Sequence, residues 1–247
     1  MSARRLLVVG ILALLASGSA GFVWYAQPQP LLPEAWHALT PAPGGDVDVG
    51  ADGRITYAPI GATTGLVLYT GGKVPAVAYA PAARAIAEAG FLVVVVTAPF
   101  NLAILNVDAA QAVIDDHPEI EIWVVGGHSL GGATAAIFAN GHPGAIDGLI
   151  LWAAYASEDL SDDAIRVVSI HGSLDAGAAD YADPANVARL GSSARFEVIA
   201  GGNHEGMGWY TGQPNDPPAT ISRQEQQDRI VSATVELLRS LAPSSNP

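Results

Sequence analysis

Two hydrophobic periods alternate along most of the chain. Short apolar runs fall at residues 46–49, 55–58, 65–69, 91–97, 122–125, 148–152, 167–171 and 194–199. Between many of them, apolar residues recur every three or four positions instead. The run FLVVVV at 91–96 lacks any alternation, as a strand covered on both faces does. Helical spacing predicts helices over 77–89, 107–116, 131–140, 184–190 and 222–241. In the last of these, Ile230, Val231, Val235, Leu237, Leu238 and Leu241 make an apolar face opposite the charges. The first two strands are joined by a turn at Asp52-Gly53. Strands interleaved with helices predict βαβ units, hence an α/β fold with a mostly parallel, doubly wound sheet of eight strands. Such sheets bind ligands at the carboxyl ends of their strands, so residues just past those ends are where chemistry is sought.

The amino terminus breaks the pattern. After Arg4 and Arg5, residues 6–26 (LLVVGILALLASGSAGFVWYA) carry no charge. At ~1.5 Å per residue this run matches the ~30 Å hydrocarbon core of a bilayer. Arginines on one side only, and Trp24-Tyr25 at the other end, predict a membrane anchor with the rest of the chain translocated. The alternative is a signal peptide cleaved after Gly18-Ser19-Ala20, releasing a secreted form. Both put the remainder outside the cytoplasm. Residues 27–45 are Pro-rich and aperiodic and read as a linker, leaving 46–247 as a single catalytic domain.

Composition narrows the class. Hydrophobic residues make up 50% of the chain and charged ones 14%, enough for a large buried core. A formal net charge of -13 repels phosphate backbones, so no nucleic-acid partner is expected. Absence of cysteine excludes disulfides, thiolate catalysis and Cys-ligated metals. The histidines have no HExxH or comparable spacing, so neither metal nor cofactor is expected.

The sharpest signal is Gly127-His128-Ser129-Leu130-Gly131, a G-x-S-x-G pattern lying between a predicted strand and a predicted helix. A serine there projects from a strained turn, and glycines on either side leave room for neighbouring backbone. A serine nucleophile needs a general base, and the base needs an orienting carboxylate. Asp175, in IHGSLD, lies just past the 167–171 strand, and His204, in IAGGNHEG, just past the 194–199 strand. Both therefore share the sheet edge of Ser129, in the order Ser, acid, His. Asp180 and Asp183 are rival acids farther from the strand end. His37, His117, His128, His142 and His171 read as surface or packing residues, with His128 directed away from the nucleophile. For the oxyanion, one donor is expected to be the backbone N–H of Leu130. The second comes from Thr70-Gly71-Gly72-Lys73, with Gly72 preferred and Lys73, the sole lysine, as the alternative.

TGGKV, APFNLAIL, GGHSLGGATAA, HGSLD and GGNHEGMGWY together resemble a compact branch of bacterial α/β-hydrolases, similar to dienelactone hydrolases and small lipases. The resemblance spans residues 65–241 and implies the same three residues and hydrolysis of an ester-like bond in a small molecule. The sequence departs from the dienelactone hydrolases at the nucleophile, Ser129 here and Cys in them. The same three residues also suit a thioesterase, a peptidase or an acyltransferase, and a retired hydrolase fold serves as a binding module. Residues 153–166 are too few for a cap domain. A shallow site is therefore expected, with Phe100, Trp209 and Tyr210 as apolar substrate contacts and a preference for short acyl chains.

Overall fold

The computed structural model describes residues 26–40, 45–161 and 164–242, with Arg5, Ser17, Gly18, Gly21 and Phe22 in addition. Eight strands form one sheet: β1 (Gly45–Val49), β2 (Ile55–Pro59), β3 (Thr64–Tyr69), β4 (Leu92–Val96), β5 (Ile122–His128), β6 (Gly148–Trp152), β7 (Arg166–Gly172) and β8 (Arg195–Ile199). Their order is β1-β2-β4-β3-β5-β6-β7-β8. β1 and β2 are antiparallel, β2 is antiparallel to β4, and every later pairing is parallel. The α-helices among the described residues are α1 (Pro33–His37), α2 (Ala80–Glu88), α3 (Ala109–Asp116), α4 (Leu130–Gly141), α5 (Ala178–Tyr181), α6 (Pro184–Ala188) and α7 (Arg223–Leu241).

The continuous apolar strands are explained by cover on both faces. Leu66 and Leu68 of β3, Val93 and Val95 of β4, and Ile150 and Trp152 of β6 point into one core, shared with Ile86 of α2 and Ile230 and Leu238 of α7. Their neighbours Val67, Tyr69, Val94, Leu149 and Leu151 point into the opposite core, with Val113 of α3 and Phe138 of α4. From β3 the chain moves to β4 on one side and then returns to β5 on the other. This reversal opens a crevice at the carboxyl ends of β3 and β5, where Tyr69 and Gly127 lie in register.

Three local differences from the sequence reading have simple causes. The helix expected from residue 77 is a 3-10 turn over Ala76–Tyr79 followed by α2, because Pro81 fits only the first turn of an α-helix. β5 runs on to His128, since Gly126 and Gly127 still pair with Ile150 and Leu151 of β6. Part of the expected linker packs on the domain: Ala35 of α1 is buried, and Leu32 N donates to Trp209 O at 3.0 Å. Its residues 41–44 lie outside the described residues.

The expected membrane anchor over residues 6–26, and the placement outside a membrane that followed from it, are corrected. Among the described residues no helix is long and apolar enough to cross a membrane. Most of residues 6–26 lies outside the described residues. At its far end, the Phe22 ring meets that of Phe100 at 4.9 Å and Ala26 is buried. Hydropathy registers apolar surface that needs covering, but not whether lipid or protein covers it.

Candidate active site

β5 turns into α4 at Ser129, whose φ of 53° and ψ of -120° place a non-glycine residue in a costly conformation. The surroundings hold it there. Ser129 N donates to Trp152 O at 2.9 Å. A Cβ on Gly127 would fall 2.3 Å from Gly131 C, and one on Gly131 would fall 2.4 Å from Tyr69 O. The flanking glycines thus let the head of α4 press onto the ends of β3 and β5.

That contact brings α4 beside the loop after β3. A Cβ on Gly72 would stand 3.6 Å from Leu130 Cδ2, so Gly72 faces the Leu130 side chain. Gly71 N donates to Tyr79 Oη at 2.9 Å and Lys73 N to Asn101 O at 2.7 Å. Among the described residues the N–H of Gly72 has no such partner. Lys73, the alternative second donor, has its N–H committed elsewhere. The N–H of Leu130 opens a helix and lacks an acceptor within it, adding the positive end of the helix dipole.

Asp175 and His204 come from the loops after β7 and β8, which are tied together. Ser173 N donates to Ile199 O and Leu174 N to Gly202 O, both at 2.9 Å. A Cβ on Gly172 would meet Gly202 C at 2.3 Å, so the two loops touch backbone to backbone. His204 Nδ1 lies 2.9 Å from Asp175 Oδ2, with side chains 11% and 1% exposed. A carboxylate beside Nδ1 keeps the proton on that nitrogen and leaves Nε2 as the acceptor. The other carboxylate oxygen accepts from Gly177 N at 2.7 Å. Asp180 and Asp183 are exposed, and the Asp183 side chain instead caps α6 by accepting from Ala185 N at 2.8 Å.

No hydrogen bond joins Ser129 Oγ to His204 among the described residues. Such bonds commonly tighten only when substrate occupies the site. The ring of His128, next to Ser129 in the chain, packs 4.6 Å from the His204 ring. The His128 side chain is buried and packs against the candidate base. Its Nδ1 lies 2.8 Å from Tyr79 Oη, whose oxygen already accepts from Gly71 N. Burial, and then the neighbouring His204, push the His128 pKa well below the usual imidazole range, so its ring is neutral.

Several supporting residues carry no sequence signal. Asp216 accepts from His204 N at 3.1 Å and from Glu205 N at 2.7 Å, fixing the backbone on which the imidazole stands. Burial holds its carboxyl above the usual carboxylate range despite those two donors. Gln226 and Gln227 of α7 are buried and hold the same loop. Gln226 Nε2 donates to Asn203 O at 2.7 Å and Gln227 Nε2 to Gly206 O at 2.6 Å.

The three apolar contacts expected at the mouth separate in space. Phe100 is 51% exposed, at a φ of 59°, on the loop whose Asn101 carbonyl holds Lys73 N. Tyr210 is wholly buried, with its ring 6.1 Å from that of His128. Trp209 is buried and lines a groove between α2 and α7. Of the three, the structure leaves Phe100 open to solvent near the loop after β3.

Comparisons with known proteins agree with this architecture. The dienelactone hydrolase of Anabaena variabilis ATCC 29413 aligns with a TM-score of 0.55 at 15% identity, over 81% of this chain and 100% of its own. Esterase 2 of Thermogutta terrifontis aligns with a TM-score of 0.55 at 15% identity, over 83% and 98%. Fluorophosphonate-binding serine hydrolase F of Staphylococcus aureus aligns with a TM-score of 0.56 at 13% identity, over 80% and 99%. At these identities the likeness is one of fold. No curated protein matches the sequence significantly. A family model described as "Alpha/beta hydrolase family" matches residues 65–228, which hold β3 through the start of α7 and all three candidate side chains. The strand order, the strained serine turn and this match together show that the chain belongs to the alpha/beta hydrolase family.

Proposed function

We propose that this hydrolase cleaves carboxylic esters of small molecules through an acyl-enzyme on Ser129, with His204 as base and Asp175 as its orienting acid. The observation that carries the reading is the dry Asp175–His204 pair, 2.9 Å apart, on the sheet edge where Ser129 heads α4. Ser129 Oγ attacks the ester carbonyl carbon while His204 Nε2 takes the hydroxyl proton. The carbonyl oxygen becomes an oxyanion and accepts from the N–H groups of Leu130 and Gly72. Collapse breaks the bond to the alcohol oxygen, which leaves with the proton returned by His204. Water then repeats the sequence on the acyl-enzyme and releases the acid. Asp175 holds the imidazole in the required tautomer and stabilises the imidazolium formed in each half. The esterase and serine hydrolase among the structures of like fold support this chemistry by analogy.

Labelling with a fluorophosphonate, followed by peptide mass spectrometry, tests the reading. The adduct is expected on Ser129, and Ser129→Ala is expected to lose the label together with roughly 10⁴–10⁶ in kcat. An adduct mapped to another residue overturns the mechanism.

A further inference from the structure

Tyr181 is buried on α5, and nothing in the mechanism above uses it. Its hydroxyl lies 3.3 Å from Asp175 Oδ1 and 3.4 Å from His204 Nδ1, facing the shared side of the pair. The hydroxyl has one proton and two neighbours. His204 Nδ1 carries its own proton toward Asp175 Oδ2, so it cannot accept, and Tyr181 donates to the carboxylate. Space for the hydroxyl is reserved by Gly177, where a Cβ would stand 2.5 Å from Tyr181 Oη.

We propose that Tyr181 is a positioning residue that sets how strongly Asp175 stabilises the His204 imidazolium. This rests on the triad reading above and adds a fourth member to it. A hydrogen bond withdraws negative charge from a carboxylate and weakens its hold on an adjacent cation. Tyr181 therefore moderates the pair while fixing the carboxylate plane. Burial holds the phenol far above its usual pKa, so it stays a donor throughout the working range. The other titratable groups around the pair are His128 of β5, His171 of β7, Asp180 of α5, and Asp216 with the Arg223–Glu205 ion pair beyond β8. Tyr181→Phe leaves all of these in place, so a changed profile reports the hydroxyl.

The test compares Tyr181→Phe with the wild type in the full chain. The expected result is a loss of kcat/KM of about threefold on the acid side of the profile, where more of the imidazole is protonated in the variant. The acid limb of the pH profile is expected to move upward by on the order of half a pH unit. A rate loss with an unmoved acid limb, or no change at all, overturns the proposal and leaves Tyr181 a packing residue. A readout independent of turnover is the downfield proton resonance of the His204–Asp175 hydrogen bond. It is expected to shift in Tyr181→Phe, and an identical resonance in both proteins also counts against the proposal. Failure of the fluorophosphonate to label Ser129 sinks the hydrolytic reading instead, so the two failures are distinguishable.

Discussion

Asp175 has 1% of its side chain exposed, whereas Asp180 and Asp183 stand in solvent a few residues on. A charge pair in water is screened by a dielectric near ~80, while a dry pair at hydrogen-bond distance is not. Of the three, Asp175 is the one at hydrogen-bond distance from the imidazole. Asp175→Asn is therefore expected to keep the fold and lower kcat by about 10⁴, with Asp180→Asn within about twofold of wild type. Steady-state kinetics with a chromogenic ester checks both, and equal damage from the two substitutions would undo the assignment. Proximity to a strand end in the sequence already favoured Asp175. Its pairing with His204 followed from chain order, whereas Gly177 and Tyr181 come from contacts that no spacing rule anticipates.

At the scale of elements, the helix that carries the most weight at the site contributes no reacting group. The first turns of α7 hold the His204 loop: Arg223 bonds Glu205, Gln226 bonds both Asn203 N and Asn203 O, and Gln227 bonds Gly206 O. These glutamines sit on the buried side of a helix whose apolar face alone was evident from its period. Gln226→Leu would leave the N–H and C=O of Asn203 buried without partners, at a cost of roughly 1–3 kcal/mol for each group. Urea denaturation should register that loss. Activity should fall further than the unfolded fraction explains, because the freed backbone precedes His204. Full activity in a destabilised variant would mean that Asp216, Arg223 and Gln227 suffice to hold the loop.

For the whole molecule, the connection between β6 and β7 bears on access to the site. Residues 153–165 join these strands, and their described part contains no helix. Leu160 N donates to Arg189 O at 2.8 Å, which ties the connection to the body instead of letting it arch over the site. With no cap between β6 and β7 among the described residues, few methylenes of a long acyl chain are expected to be buried, each worth ~0.8 kcal/mol. The expected substrates are esters with acyl chains of roughly two to six carbons, hydrolysed without a jump in rate as micelles form. A series of p-nitrophenyl esters measured below and above the critical micelle concentration checks this. A maximum at long chains with interfacial activation would show that other segments build a trough.

Periodicity by itself determined the doubly wound sheet, because a strand covered on both faces must be apolar throughout and a helix on one face must repeat every 3.6 residues. The motif around Ser129 was equally legible, since a strained turn pressed between two strands tolerates only glycine at Gly127 and Gly131. Tertiary structure decided which N–H of the loop after β3 stays unspent, because Tyr79 and Asn101 engage those of Gly71 and Lys73. It also sent Trp209 and Tyr210 inward while leaving Phe100 outside, and set His128 against His204. Phe22, packed on Phe100, belongs with these. An apolar side chain records in the sequence that it must be covered, and only the folded chain records by what.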